Sequence, residues 1–198
     1  MTTDPGAPQL AAGRADRALR RELRAGPGLT VITGGQTGVD TLAAEAALAA
    51  GLPVHLIFPA GLLQEDGPLP PSRRARLSGA VLHELVFPDF RYRTWTCAYL
   101  ADAVILLDPA GGEGCQQTAR AARSLGRPLM EITEEPVSAA AVAAFAARSD
   151  ARALNIAGCR GSLLDIAGAS AAAGIDAIIG GACEWQDRLL RGEPTGQR

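Results

Sequence analysis

Lysine is missing from this chain: all 19 of its basic residues are arginine. That excludes a phosphate loop built on a lysine and any Schiff-base chemistry. Histidine occurs only at 55 and 83, inside expected strands and far apart, where packing is the simpler role. The cysteines, Cys97, Cys115, Cys159 and Cys183, form no CxxC spacing. No metal site is therefore expected from sequence. The first residues, MTTDPGAPQL, hold no apolar stretch of the kind a signal peptide needs. No run reaches the ~18 apolar residues of a membrane-spanning helix. The expectation is a cytoplasmic protein with reduced thiols and no membrane partner. A net charge of -2 gives no electrostatic footprint for nucleic acid.

What is present is ordinary globular material, 47% apolar and 20% charged over 198 residues. That length fits one domain with trimmings. Residues 1–28 read as an N-terminal extension, loose over 1–7 and then an amphipathic helix over 8–24 with Leu10, Leu19 and Leu23 among arginines. Residues 29–191 read as a single domain and 192–198 as a loose tail.

Within the domain, LTVIT (29–33), VHLIF (54–58), AVLHELV (80–86), AVILLD (103–108), RPLMEI (127–132) and ALNIAG (153–158) read as strands. Helices are expected at about 39–50, 91–101, 115–125 and 138–148, and one or two more finish the chain. The Pro/Gly-rich stretch 59–72 reads as a loop. Alternating strands and helices predict an α/β fold, a Rossmann-like three-layer doubly wound arrangement with a mostly parallel sheet. Continuously apolar strands fit a sheet covered on both faces.

Two glycine-rich segments carry the chemistry. Thr33-Gly34-Gly35-Gln36-Thr37-Gly38-Val39-Asp40 joins a strand to a helix. Backbone amides at a helix start are unpaired, and the helix dipole favours an anion there. Glycines let the backbone approach a phosphate, and Thr37 offers a hydroxyl. The plain alternative is a tight turn capped by Thr37 or Asp40. The segment does not match the GxGxxG dinucleotide fingerprint. Asp108-Pro109-Ala110-Gly111-Gly112-Glu113-Gly114-Cys115 makes a second strand-to-helix loop, with Thr118 one turn further on. Two such loops at the carboxyl ends of parallel strands face one crevice. That pairing favours a ligand site over two plain turns.

Other polar residues are weaker candidates. Arg93 and Thr94 open a helix, where an arginine can clamp a phosphate bidentately; the alternative is a surface charge facing Asp89. Cys115 sits at a helix N-terminus, where thiol pKa values tend to fall, but no His or Asp partner is identifiable. Asp40, Glu45 and Glu113 lie near the glycine loops and are the candidate general bases. Glu65 and Asp66 stand in the long loop, where a solvated turn is the default.

The Thr33–Asp40 segment resembles the opening motif of the circularly permuted YpsA-like branch of the SLOG superfamily, some of whose members are described as molybdenum carriers. Pro59-Ala60-Gly61 with Glu65-Asp66-Gly67-Pro68 resembles that family's P-x-G…E-D-G-P loop. Arg93-Thr94 followed by Ala101-Asp102-Ala103, Gly114-Cys115-Gln116-Gln117-Thr118 and Leu154-Asn155-Ile156-Ala157-Gly158 resemble further motifs in the expected order. The likeness spans roughly 29–160 and departs from the family at Trp95, Cys97 and Cys115, where Glu, Asn and Thr are usual.

The resemblance implies a small-molecule, nucleotide-like ligand carrying a phosphate. Its contacts would fall on Gly34, Gly35, Gln36, Thr37, Gly38, Gly61, Asp66, Arg93, Thr94, Gly111, Gly112, Gly114, Cys115 and Thr118. It also implies a homo-oligomer. Three readings follow: a sensor or carrier of such a ligand, a nucleotide N-glycosidic-bond hydrolase related to the Lonely Guy phosphoribohydrolases, or a carrier of molybdenum cofactor, a phosphorylated pterin. In the Lonely Guy motif, Thr118 would occupy the position of the catalytic Glu. A hydroxyl of ordinary pKa does not stabilise an oxocarbenium-like centre as a carboxylate does.

Overall fold

The computed structural model describes residues 14–108, 111–133 and 137–193. Helix α1 (Arg14–Leu23) leads into β1 (Thr30–Thr33), α2 (Val39–Ala49) and β2 (Val54–Phe58). A short hairpin, β3 (Leu63–Gln64) and β4 (Gly67–Pro68), precedes α3 (Pro71–Arg76) and β5 (Val81–Glu84). Then come α4 (Phe90–Leu100), β6 (Ala103–Leu107), α5 (Glu113–Ser124), β7 (Leu129–Ile132), α6 (Ala139–Arg148), β8 (Ala153–Gly158) and α7 (Gly161–Leu190).

Six strands form one parallel sheet in the order β5-β2-β1-β8-β6-β7. Side chains alternate between faces along each strand. Val31, Leu56, Ile105 and Leu154 meet Ala43 and Ala47 of α2, Val142 of α6 and Ile178 of α7 on one face. Ile32, Ile57, Val104 and Leu106 point the other way, onto α1, α4 and α5. The result is a Rossmann-like three-layer α/β arrangement, with a sheet buried on both sides as its continuously apolar strands require.

The β1→β2 and β6→β7 crossovers run in opposite directions across the sheet. Right-handed connections then put α2 and α5 on opposite faces, where they are found. The chain first builds outward through β1, β2 and β5. It returns to lay down β6 and β7, and finally inserts β8 between β1 and β6. A crevice opens at the carboxyl ends of β1, β8 and β6, where the strand order reverses.

Several sequence expectations need adjusting. The stretch 59–72 is not a plain loop: a turn at Glu65–Asp66 closes the β3–β4 hairpin, and α3 starts with Pro71 in its first turn. The one or two helices expected after β8 are a single helix of 30 residues, α7. His55 and His83 are far apart in sequence, but β2 and β5 set their rings as a stacked pair, centroids 5.1 Å apart, with His55 Nδ1 2.8 Å from His83 Nε2. Residues 1–13, which include 8–13 of the helix expected over 8–24, and 194–198 of the expected tail lie outside the described residues. Leu23 of α1 is buried against α4, and Arg20 and Arg24 reach the buried Asp102 at 3.2 and 2.8 Å. No helix among the described residues is long and apolar enough to cross a membrane.

Trp185 is the largest fully buried side chain and ties α7 to the turn before β8, its indole N–H donating to the Ala151 carbonyl at 2.7 Å. Trp185→Phe keeps most of the packing but orphans that carbonyl. The cost should be about 1–3 kcal/mol. Thermal denaturation followed by circular dichroism should show a midpoint lowered by about 2–4 °C per kcal/mol.

Candidate functional site

The crevice holds a cleft of about 400 Å³. Its walls come from three strand-to-helix turns: Gln36 and Asp40 after β1, Gly112 to Thr118 after β6, and Ala157 to Leu163 after β8. Phe90, Arg91, Arg93 and Thr94 at the start of α4 form another side, and Glu65 of the hairpin closes it. The two glycine loops do share one crevice. The third turn, Gly158-Cys159-Arg160-Gly161-Ser162, was not singled out from sequence. Its signal was the same as for the other two: a buried strand, then glycines, then a helix.

Of the residues expected to touch a ligand, Gln36, Arg93, Thr94, Gly112, Gly114, Cys115 and Thr118 line the cleft, with the candidate bases Asp40 and Glu113. Gly34, Gly35, Thr37, Gly38, Gly61, Asp66, Gly111 and Glu45 do not. Glu45 instead pairs with Arg76 of α3 at 2.7 Å, and Asp66 pairs with Arg73 at 3.1 Å. Pro109 and Ala110 of the second loop lie outside the described residues.

The glycines of the first loop are explained by packing inside the protein. A Cβ on Gly34 would sit on the Arg93 guanidinium, and one on Gly35 would lie 2.4 Å from the Phe58 ring. Gly38 adopts φ 83° and abuts the Cys159 carbonyl. The amides of this loop are also engaged: Gly35 donates to Thr33 at 3.3 Å, Gln36 to Asp40 at 3.3 Å and Val39 to the Cys159 carbonyl at 3.0 Å. Ligand access to this loop runs through Gln36 and Asp40.

Arg93 is buried, not a surface partner of Asp89, whose side chain caps α4. Its guanidinium stands 3.0 Å from the buried Asp40 carboxylate. Burial pushes the Asp40 carboxyl above its ordinary value, while Arg93 pulls it the other way. Losing one partner of such a pair strands a buried charge, at a cost of about 3–5 kcal/mol.

Thr37 is taken as well. Its hydroxyl donates to Glu65 and accepts the Gly161 amide at 3.0 Å. Glu65 in turn accepts the Ser162 amide at 3.2 Å and the Ser162 hydroxyl at 2.9 Å. The protein thus places its own carboxylate on the N-terminus of α7, the position an anion favours. Partial burial works to raise the Glu65 pKa, but the hydrogen bonds from Thr37 and Ser162 and the charge of Arg160 hold it below the ordinary value.

At the start of α5 the Asp108 carboxylate accepts the Gly111 and Gly112 amides at 3.0 and 3.2 Å, and Gly112, Glu113 and Gly114 face the cleft. Thr118 is buried and bonds back to the Gly114 carbonyl at 3.1 Å, as a helical hydroxyl does. Cys115 is buried, so its thiol pKa is raised rather than lowered: desolvation leads, and the neighbouring Asp108 adds to it. The helix N-terminus does not overcome those two effects.

The fold and the crevice at its switch point define a Rossmann-like α/β protein. The chain belongs to the circularly permutated YpsA SLOG family, whose model matches residues 31–179. Among solved structures it is similar to the putative molybdenum carrier protein from Syntrophus aciditrophicus SB. The two share 23% identity over 77% of this chain and 95% of that one, with a TM-score of 0.64. At that identity the likeness speaks for the fold. No curated protein matches the chain.

Because the Glu65 pKa lies below the ordinary glutamate value of 4.5, its carboxylate adds stability above that pH. The contribution is lost as pH falls through the folded-state value. Between about pH 5 and pH 3 the native melting temperature should therefore fall more steeply than that of Glu65→Gln. Parallel slopes in the two proteins would mean that the α7 N-terminus does not hold the carboxylate.

Proposed function

We propose that the cleft binds a phosphate-bearing, nucleotide-like small molecule and that the protein serves as its sensor or carrier. The observation that carries this reading is the cleft of about 400 Å³ at the sheet's switch point, onto which Gly112, Glu113 and Gly114 at the start of α5 face. The Glu113 and Gly114 amides would meet the phosphate. Arg91 and Arg160 line the same cleft and add positive charge near it. Phe90, at the rim and 38% exposed, offers a flat apolar face for a heterocycle, with Leu163 beside it in the lining.

A phosphorylated pterin of the molybdenum-cofactor type fits the same description. The name of the Syntrophus aciditrophicus protein supports including it among the ligands to test. Hydrolysis of a nucleotide glycosidic bond is the second reading. It draws on Asp40 and Glu113 in one cleft, with the Asp40 carboxyl raised by burial. Against it stand the engagement of Asp40 with Arg93 and the hydroxyl, rather than a carboxylate, at position 118.

A thermal-shift screen against nucleoside mono-, di- and triphosphates, molybdopterin and inorganic phosphate, run with EDTA, tests the reading. A ligand at 100 times its dissociation constant adds about 2.7 kcal/mol, a rise of several degrees. Gly114→Val is the clean variant, since a Cβ there meets nothing within 4 Å. It should keep the native melting temperature and weaken binding at least tenfold, about 1.4 kcal/mol. Gly35→Val would instead strike Phe58 and report on packing. Chromatographic release of free base from a stabilising nucleotide would move the assignment to the hydrolase.

A further inference from the structure

We propose that Asp108, Cys115 and Cys159 form a binding site for a thiophilic divalent cation of the zinc class, set in the floor of the cleft. Their ligand atoms all lie within 4.8 Å of one another. The Cys159 sulfur is 3.9 Å from Asp108 Oδ1, and Asp108 also hydrogen-bonds with Cys115. A tetrahedral zinc with sulfurs at about 2.3 Å sets the two sulfurs about 3.8 Å apart. The cluster's ligand atoms, all within 4.8 Å of one another, lie near that separation.

The grouping follows from the sheet. Leu107 of β6 pairs with Gly158 of β8, so Asp108 and Cys159 continue the same register just past the strand ends. The first turn of α5 drops Cys115 onto them. Ligands from three separate segments escape a search for CxxC spacing, the ground on which no metal site was expected.

The donor set argues for a borderline-soft ion. Two sulfurs with one carboxylate suit zinc and its relatives, and disfavour magnesium and calcium, which take oxygen ligands. Binding releases two thiol protons to solvent, leaving two thiolates, one carboxylate and a divalent cation at net charge −1. Arg93 and Arg160 line the same cleft, paired with Asp40 and Glu65. Asp108 is well held: its Oδ1 accepts the Gly111 amide at 3.0 Å and the Gly112 amide at 3.2 Å. Such hydrogen bonds orient a metal-ligating carboxylate. Both cysteines border the cleft, from which a fourth ligand would come. Asp108 and Cys115 also border a second cavity of about 360 Å³. Three protein ligands and one exchangeable position is the arrangement of zinc sites that act on a bound molecule rather than merely brace a fold. The site is independent of the phosphate reading and is tested without any nucleotide.

Reduced, metal-free protein is titrated with Co²⁺, and the thiolate-to-cobalt charge-transfer absorption in the near ultraviolet is recorded. The expected result is a band saturating at one Co²⁺ per chain and removed by Zn²⁺. Cys183→Ser should leave it unchanged, and Cys115→Ser and Cys159→Ser should each weaken Co²⁺ binding at least tenfold. Asp108→Asn keeps an acceptor for Gly111 and Gly112. It should retain a sulfur band with weaker binding, which keeps the test decisive if a cysteine variant fails to fold. No band with the reduced native protein overturns the proposal. So does a band that survives in both cysteine variants, or a Cys115–Cys159 disulfide forming readily in a protein that binds no Co²⁺.

Discussion

The pairing of β8 between β1 and β6 is the constraint on which the rest of the molecule depends. β8 is the last strand in sequence, yet it occupies the middle of the sheet and bonds to the first strand on one side and the sixth on the other. Without it, β1 and β6 have no common neighbouring strand. Its ladder is long-range on both sides, so its closure entropy is repaid only when both partners are already formed. The buried Asp102 assists at the strand entrance. Its carboxylate accepts the Arg152 and Ala153 amides at 3.0 and 3.1 Å while drawing in Arg20 and Arg24 of α1. The N-terminal helix is thereby fastened to the same point that starts the central strand.

The placement of β8 also decides which helix ends remain open. Its exit, Cys159 to Ser162, falls between the two glycine loops. The Cys159 carbonyl takes the Val39 amide, and Gly161 and Ser162 take Thr37 and Glu65. The N-termini of α2 and α7 are therefore engaged by the protein itself, that of α4 is capped by Asp89, and Asp108 takes the Gly111 and Gly112 amides ahead of α5. The charges follow the same pattern: Asp40 is set against Arg93, and Glu65 against the start of α7 and Arg160. The start of α5 is left to face the cleft, bordered by Arg91 and Phe90.

Much of the fold was legible because periodicity is a local property. TVIT, VHLIF and AVILL are too short and too apolar to be anything but buried strands between helices, and Val39, Ala43 and Ala47 repeat at helical spacing. The hairpin at Leu63–Pro68 escaped because a two-residue strand has no period to detect. The site was legible in part. Strand-to-helix glycine loops announce a crevice, and Gln36 and Gly112 to Gly114 do line it. Glu45 and Asp66 lie outside the cleft lining, since neither closeness to a glycine loop along the chain nor a motif says which face of α2 or of a hairpin a side chain takes. Thr37 looked like a ligand donor because its partner, Glu65, is 28 residues away.

By itself the sequence determined the layered α/β architecture, the family motifs and the two glycine turns, because each is written in residues adjacent along the chain. Only the tertiary structure decided that Arg93 is a buried partner of Asp40, that Glu65 caps α7, and that Asp108, Cys115 and Cys159 converge. Each of those contacts joins residues brought together by the order of strands in the sheet. That order is set by which apolar faces pack against one another, a long-range outcome that no local pattern of residues records.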